Sequence, residues 1–285
     1  MTDVARTPFA AALRHYEDEG YAIVRGFFAA DEVARMAASF DRHWRDGMAH
    51  RASFRHGNLF YRQGKDPRIG KILRLVQWPS YVDPTLEAAR RDPRWLDLLG
   101  PLLGPDIKQI INQLHWKPPG AVAADFAFHQ DVRFRRPRPA YRNLMSAYVQ
   151  TGLAIDPHRP ANGAMRLLPG SHRLGERDIA GAGAVLDQAM ADERLAQAGL
   201  DPSRLVDIAL EPGDLALWNL YTIHGSGPNR TRGDRRFYLN GYVRAADCDR
   251  GEWAFRVGAA VPLGAPVLVH YEDLFARPEP HYLEA

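Results

Sequence analysis

The chain has 285 residues, of which 46% are hydrophobic and 25% are charged, and its formal net charge at pH 7 is +3. These proportions are ordinary for globular proteins and exclude a largely disordered chain, and so mild a charge imbalance does not indicate a nucleic-acid-binding protein. The single cysteine, Cys248, excludes an intramolecular disulfide and a zinc cluster built from cysteines.

The first hundred residues are predicted to be mainly helical. Residues 7–20 (TPFAAALRHYEDEG) form an amphipathic helix, and they lack the basic start and the apolar core of a signal peptide. A strand is predicted at 21–28, followed by a helix over 30–47 whose apolar residues recur at helical spacing. Asp-Pro pairs open two more short helices, at 83–91 and 92–104.

The character of the chain changes after residue 104. Segments rich in β-branched and aromatic residues, separated by Gly and Pro turns, predict a sandwich or barrel over about 105–257. Residues 174–203 break this pattern, and we expect an inserted lid there with one helix near 184–198. The Pro-rich tail, 258–285, is expected to pack over the surface. Since no apolar run approaches the ~18 residues of a membrane span, we expect a cytoplasmic α+β protein.

The stretch FHQD points to a metal site. On a strand, residues two apart face the same side, so His129 and Asp131 project together and Gln130 turns away. Such a pair often occurs without function, but His224, in YTIHGS, also ends an apolar strand. Two histidines and a carboxylate are the ligands of non-haem Fe(II) oxygenases, which keep three coordination positions open. His115 is a further residue that could line the same cavity.

Several ordered motifs make the chain resemble the phytanoyl-CoA dioxygenase family of Fe(II)- and 2-oxoglutarate-dependent oxygenases. The resemblance runs from about residue 19 to residue 242. The motifs are GYAIVRGFF, DEVARM, WKPPG, FHQD, ANGAMRLLPGSH, EPGDLALWN and HGSGPNRTRGDRR. It implies a double-stranded β-helix (jelly-roll, cupin-like) core flanked by N-terminal helices, in one dioxygenase domain over 1–285. That domain would comprise a helical layer (1–104), a core (105–257) with the inserted lid, and the tail.

The resemblance also implies roles for individual residues. His129, Asp131 and His224 match the family's iron ligands, with 2-oxoglutarate and O₂ completing the site. The residues that match co-substrate contacts are Arg235 (with Arg236 as the alternative), Ser226, Lys117, Gln113 and Gln130, although strand alternation argues against Gln130. One position departs from the family: where several relatives carry a tryptophan near the co-substrate, this chain has Thr151 or Gly152.

The implied reaction is hydroxylation of an unactivated C–H bond, coupled to conversion of 2-oxoglutarate to succinate and CO₂. Related halogenases replace the iron-binding carboxylate with a small residue, so Asp131 favours hydroxylation over halogenation. Desaturation and ring rearrangement stay open. We expect a small organic substrate, such as a secondary metabolite, an amino acid or an acyl derivative.

Two sets of residues are candidates for contacting that substrate. Arg133 and Arg135 begin a basic loop that would favour an anion if it lines the mouth of the site, and Phe60 and Tyr61 are candidates for an aromatic wall. The rival interpretation from another class is a non-catalytic metal-binding sensor, which would not need Arg235 or Ser226. A zinc hydrolase would need a separate general base, for which the sequence offers no convincing residue. Monomer and homodimer are both open.

Overall fold

The computed structural model describes residues 7–122, 124–179, 185, 189–265 and 277–283. Over these residues the helices are α1 (Ala10–Glu19), α2 (Ala30–Ala49), α3 (Pro84–Arg90), α4 (Pro93–Leu103) and α5 (Asp192–Gln197). The strands are β1 (Tyr21–Val24), β2 (Ser53–His56), β3 (Leu59–Asp66), β4 (Gly70–Gln77), β5 (Ile107–Lys117), β6 (Phe126–His129), β7 (Tyr148–Ala154), β8 (Met165–Leu167), β9 (Val206–Asp207), β10 (Leu215–Trp218), β11 (His224–Ser226), β12 (Arg235–Arg244), β13 (Glu252–Arg256), β14 (Ala259–Ala260) and β15 (His281–Leu283).

The strands of the described residues form two antiparallel sheets. The larger sheet has the order β1-β10-β7-β12-β5-β4-β3-β2-β15. Strand β13 pairs with residues 107–109 at the start of β5, and β14 pairs with β13. The smaller sheet has the order β6-β11-β8-β9. This arrangement confirms the predicted α+β class with a jelly-roll core. No helix in the described part of the chain is long and apolar enough to cross a membrane.

The N-terminal helices pack on the outer face of the larger sheet. Side chains alternate along β5, so Leu114 and Trp116 point to the helices while Ile111 and Gln113 point to the opposite face. Residues of α1, α2 and α4 join Leu114 and Trp116 in one buried apolar cluster, in which each large side chain contributes roughly 1.5–3 kcal/mol. The helices therefore anchor one face of the sheet and leave the other face free to form a site.

The Asp-Pro starts of α3 and α4 form as predicted. The Asp83 carboxylate accepts hydrogen bonds from the backbone N–H groups of Thr85 and Leu86, and Asp92 accepts one from Arg94 N–H. These caps satisfy N–H groups that have no partner within the helix.

The prediction of a mainly helical first hundred residues is wrong for residues 53–77. Strands β2, β3 and β4 occupy this stretch and extend the larger sheet. Charged residues such as Arg55, Arg62 and Arg74 interrupt the apolar pattern of these strands, although Arg55 and Arg74 are themselves buried. The alternation of apolar and polar residues therefore does not predict these three strands.

Two other expected boundaries differ from the structure. The strand predicted through FHQDVRF ends at His129, and Asp131–Phe134 form a 3-10 turn. In the predicted lid, α5 covers only Asp192–Gln197, and residues 184 and 186–188 of the helix expected near 184–198 lie outside the described residues. In the C-terminal tail, β15 pairs with β2 at the edge of the larger sheet. The domain division and the lid stay predictions.

Candidate metal and co-substrate site

A cavity of about 440 Å³ lies between the two sheets. The larger sheet contributes inward side chains of β3, β4, β5, β7, β10 and β12, and the smaller sheet contributes those of β6, β8 and β11. All three predicted metal ligands line this cavity. A jelly roll places its interior side chains in such a space, so the fold explains why residues far apart in sequence meet here.

Strand pairing brings the metal ligands together. His129 ends β6 and His224 begins β11, and the two residues are direct partners in the antiparallel ladder. Their rings lie 4.3 Å apart between centroids. Asp131, in the turn after β6, places Oδ1 3.5 Å from His129 Nε2 and Oδ2 3.7 Å from His224 Nε2. One ligand atom from each residue fits within 4.8 Å of the others, and all three residues are buried.

Backbone carbonyls orient both imidazoles. Nδ1 of His129 lies 2.7 Å from the Ala127 carbonyl, and Nδ1 of His224 lies 2.9 Å from the Thr222 carbonyl. A carbonyl can only accept, so each Nδ1 carries the proton and each Nε2 presents a lone pair to the cavity. The sequence did not reveal these carbonyl partners, because they depend on the local backbone.

The charges of the three ligands suit a divalent cation. Burial, assisted by His129, lowers the pKa of His224 to about 4, so this ring is neutral at pH 7. Burial alone would raise the pKa of Asp131, but His224 and His129 outweigh it and hold that pKa well below its ordinary value. Two imidazole nitrogens and one carboxylate therefore converge, which is the donor set of non-haem Fe(II) sites.

The carboxylate of Asp131 has a partner that the sequence did not reveal. The indole Nε1–H of Trp218, the last residue of β10, donates to Asp131 Oδ2 at 2.8 Å. Trp218 appears in the sequence only as an aromatic residue in an apolar strand. Its direction became evident only from the pairing of β10 with β7.

Arg235 faces the cavity and Arg236 does not. Arg235 is 3% exposed and donates from Nε and Nη2 to the Gly163 carbonyl. Burial lowers its pKa to about 9, and within the described residues no carboxylate forms an ion pair with it. Arg236 points to the helices and pairs with Asp156 and Asp41. Arg235 is therefore a buried cation whose counter-charge the described chain does not supply.

The turn that receives Arg235 requires a glycine. Gly163 has φ of +75°, and a Cβ there would lie 2.3 Å from the Gly227 carbonyl oxygen. Only glycine adopts this conformation without strain at so close an approach. Gly163 thus holds its carbonyl against Arg235 and brings the turn close to the end of β11.

Of the other predicted co-substrate residues, the structure brings two into the cavity. Ser226, two residues after His224 on β11, and Gln113 on β5 both line it. Gln113 Oε1 lies 2.9 Å from Nε2 of His115. His115 lines the cavity as expected, and burial, helped by Arg235, lowers its pKa to about 3.

Lys117 and Gln130 do not line the cavity, contrary to expectation. Lys117 is fully buried, and its ammonium group donates to the carbonyls of Ser226 and Gly227. Gln130 faces away from the site, as strand alternation suggested. Its Nε2 donates to the carbonyls of Gly175 and Tyr221, and its Oε1 accepts from Arg177 N–H. Both side chains support the walls of the site.

Phe60 and Tyr61, the predicted aromatic wall, do not line the cavity. Tyr61 points to α2, where its hydroxyl lies 3.0 Å from His43 Nδ1, and Phe60 packs under the Arg55 guanidinium at 4.0 Å. Arg62 is the β3 residue that lines the cavity. Both rings are therefore used for packing.

The sequence departs from the family at Thr151 or Gly152, where several relatives carry a tryptophan, and the Phe237 ring fills the space beside Gly152. A Cβ at Gly152 would lie 2.1 Å from the Phe237 ring, which lines the cavity on the neighbouring strand β12. Thr151 points the other way and donates to the Asn240 carbonyl. The volume that a larger side chain at 152 would use is thus filled by Phe237.

The arginines after Asp131 fall into two groups. Arg138 pairs with Glu176 and Arg142 with Asp249, and neither lines the cavity. The cavity-lining group comprises Arg133, Arg135 and Arg136, of which Arg136 also lies 3.7 Å from the Glu176 carboxylate. Arg135 is 1% exposed, stacks 4.8 Å from the Tyr148 ring centroid, and has no hydrogen-bond partner for Nε or Nη1. A buried guanidinium with unpaired N–H groups costs free energy unless an anion approaches it.

The chain is similar to known oxygenases over most of its length. Residues 16–237 match the family model described as phytanoyl-CoA dioxygenase (PhyH). A probable alpha-ketoglutarate-dependent hypophosphite dioxygenase of Stutzerimonas stutzeri is 30% identical over 242 residues, covering 83% of this chain and 79% of the relative.

Solved structures show the same fold at lower identity. EctD from S. alaskensis, solved with 2-oxoglutarate and 5-hydroxyectoine, has a TM-score of 0.64 and 21% identity over 93% of this chain and 84% of its own. The epimerase SnoN, solved with Fe³⁺, alpha ketoglutarate and nogalamycin RO, has a TM-score of 0.60 and 20% identity over 90% of this chain and 96% of its own.

Proposed function

Since this chain belongs to the phytanoyl-CoA dioxygenase family, we propose that it hydroxylates a small anionic molecule. It is an Fe(II)- and 2-oxoglutarate-dependent dioxygenase, as its family and its named relatives are. The observation that carries the proposal is that the three metal ligands share one cavity with Arg235, a buried cation whose counter-charge the described residues do not supply.

The residues of the site divide the work of holding the cofactor and co-substrate. His129, Asp131 and His224 would hold Fe(II), and Arg235 with Ser226 would hold the distal carboxylate of 2-oxoglutarate. Bound Fe(II), together with 2-oxoglutarate and O₂, supplies the oxidation that yields succinate and CO₂ and places one oxygen atom on the substrate. The buried ligands exclude bulk water, and Asp131 stays ionised while both histidines present lone pairs.

The lining charges favour an anionic substrate. Five arginines line the cavity, and Asp131 is the one carboxylate among the lining residues. The charges of Fe(II) and Arg235 together balance those of Asp131 and the two 2-oxoglutarate carboxylates. The buried Arg135, whose Nε and Nη1 have no hydrogen-bond partner, would therefore attract an oxyanion and raise its local concentration.

The size of the cavity favours a small molecule. Its volume of about 440 Å³ must hold both 2-oxoglutarate and the substrate, whereas ligand pockets span roughly 300–1,000 Å³. Because one relative is named a probable hypophosphite dioxygenase, the first compounds to test are hypophosphite, short alkyl phosphonates and short carboxylates, each beside a neutral analogue of similar size.

The test is succinate formation by protein reconstituted with Fe(II) under ¹⁸O₂. An accepted substrate should accelerate succinate release and gain one labelled oxygen atom. Desaturation would instead remove two hydrogens without adding label. Epimerisation, the activity for which SnoN is named, would change neither mass nor label. Failure to bind 2-oxoglutarate or release succinate, with or without substrates, would favour a metal-binding sensor.

A further inference from the structure

Trp218 is not a candidate metal ligand, but it forms a hydrogen bond with one of them, Asp131. Trp218 is 2% exposed, and its Nε1–H reaches Asp131 Oδ2 at 2.8 Å. The other oxygen, Oδ1, lies 3.5 Å from Nε2 of His129, slightly closer than the 3.7 Å between Oδ2 and Nε2 of His224. Because an ionised carboxylate makes a stronger hydrogen bond than a neutral acceptor, this contact fixes the rotation of the Asp131 side chain.

We infer that Trp218 is a positioning residue that makes Asp131 offer one oxygen to the metal. With Oδ2 engaged by the indole, the carboxylate would present Oδ1, the oxygen without that hydrogen bond, rather than chelate through both oxygens. A chelating carboxylate would occupy a coordination position that the co-substrate or O₂ needs. The inference rests on the proposed function, since it presumes that a metal binds His129, Asp131 and His224.

The indole is itself held by a chain of contacts. The Phe237 ring lies parallel to it, 6.3 Å away with an interplanar angle of 16°, and the His224 ring lies 5.4 Å away. Phe237 occupies the volume that the missing side chain of Gly152 leaves open. Phe237 therefore both fills the space beside Gly152 and lies against the tryptophan that reaches Asp131.

A purely structural role for Trp218 predicts a different outcome, and Trp95 provides the matched control. Trp95 is 1% exposed and donates its Nε1–H to the Ala89 carbonyl at 2.8 Å, on the helical side of the larger sheet. Trp218→Phe and Trp95→Phe each remove one buried indole donor and keep an aromatic ring. Both should lower thermal stability, but only Trp218→Phe should affect the metal.

The experiment measures the affinity of Co(II) for the full-length chain by competition with a chelator, together with the visible absorption of the bound ion. We expect Trp218→Phe to weaken binding by about 10- to 100-fold, the usual effect of losing a partner of a metal ligand, and to change the absorption bands. Trp95→Phe should match the wild type in both. Equal affinity and an equal spectrum for Trp218→Phe would overturn the inference, whereas failure of the wild type to bind metal would overturn the proposed function.

A second measurement needs no variant, in case Trp218→Phe does not fold. The chain has six tryptophans, whose indole N–H signals are resolved by NMR after ¹⁵N-tryptophan labelling. Loading with Co(II) should shift or broaden one indole signal far beyond the others, because one indole is hydrogen-bonded to a metal ligand. If all six signals move alike, the assignment of Trp218 is wrong.

Discussion

Replacing Arg235 with glutamine should weaken 2-oxoglutarate binding severely. The guanidinium is 3% exposed, and Asp156, the acidic group that acts on it, is paired with Arg236 instead. The co-substrate carboxylate would therefore be its counter-charge. Removing one partner of a buried hydrogen-bonded charge pair costs about 2–5 kcal/mol, which corresponds to a loss in affinity of about 30- to 4,000-fold. Glutamine keeps a donor for the Gly163 carbonyl, so the turn should survive.

The neighbouring residue and a shorter keto acid provide the controls. Arg236→Gln removes an identical side chain from the opposite face of β12, so it should lower stability, by breaking the pairs with Asp156 and Asp41, without changing 2-oxoglutarate affinity. Pyruvate has the same keto acid group but no distal carboxylate, so Arg235→Gln should not change its affinity. Both ligands are titrated anaerobically into the Fe(II) protein while the absorption of the bound keto acid is followed. Equal losses for both ligands, or no loss for 2-oxoglutarate, would refute the role of Arg235.

Three further predictions concern the metal, the substrate and acid stability. Asp131→Ala should abolish succinate formation while the melting temperature and circular dichroism stay close to wild type; the assignment is falsified if that variant keeps normal turnover. Arg135→Gln should raise the substrate KM at least about tenfold, the loss of one charge-assisted hydrogen bond, with iron content unchanged, and Arg142→Gln, on the surface with Asp249, should not. His115 and His224 stay unprotonated in the fold, whereas the unfolded chain binds protons below the ordinary pKa of 6.5. The unfolding free energy of the metal-free protein should therefore fall from that pH to about 4, by up to about 1.4 kcal/mol per pH unit for each ring. Denaturant titrations at several pH values should show that the unfolding free energy of His115→Gln depends less steeply on pH, by the equivalent of one proton. An unchanged pH dependence would contradict the burial of a neutral His115.

The metal ligands could be predicted because their chemistry is specific. Few tasks other than metal binding bring two histidines and an aspartate to the ends of apolar strands. The choice between Arg235 and Arg236 required the register of β12, which pairs Arg235 with Lys117 and thereby sets which face looks into the cavity. Alternation predicted that one of the two would face inward, but it could not say which.

The remaining errors arose where a side chain's direction depends on distant packing. Lys117 is on the same face of β5 as Gln113 and His115. The end of β11 covers it, however, and its ammonium group donates to two backbone carbonyls there. Tyr61 is a candidate for the substrate wall in the sequence, but its hydroxyl lies against His43, which belongs to α2. Trp218 looked like ordinary core, since a hydrogen bond to a carboxylate 87 residues away leaves no local pattern.

The amide of Gln130 limits how segments of this enzyme can be exchanged with those of relatives. Gln130 is 2% exposed and stands between His129 and Asp131 in the sequence. Its amide forms hydrogen bonds with the backbone of Gly175 and Arg177, at the start of the predicted insertion 174–203. A grafted loop that offers no carbonyl and no N–H at these points would leave buried amide groups unpaired, at about 1–3 kcal/mol for each. The strain would fall on the turn that carries Asp131. A chimera with a new insertion should therefore take residues 126–134 from the same donor, so that substrate range can be changed without loss of the metal.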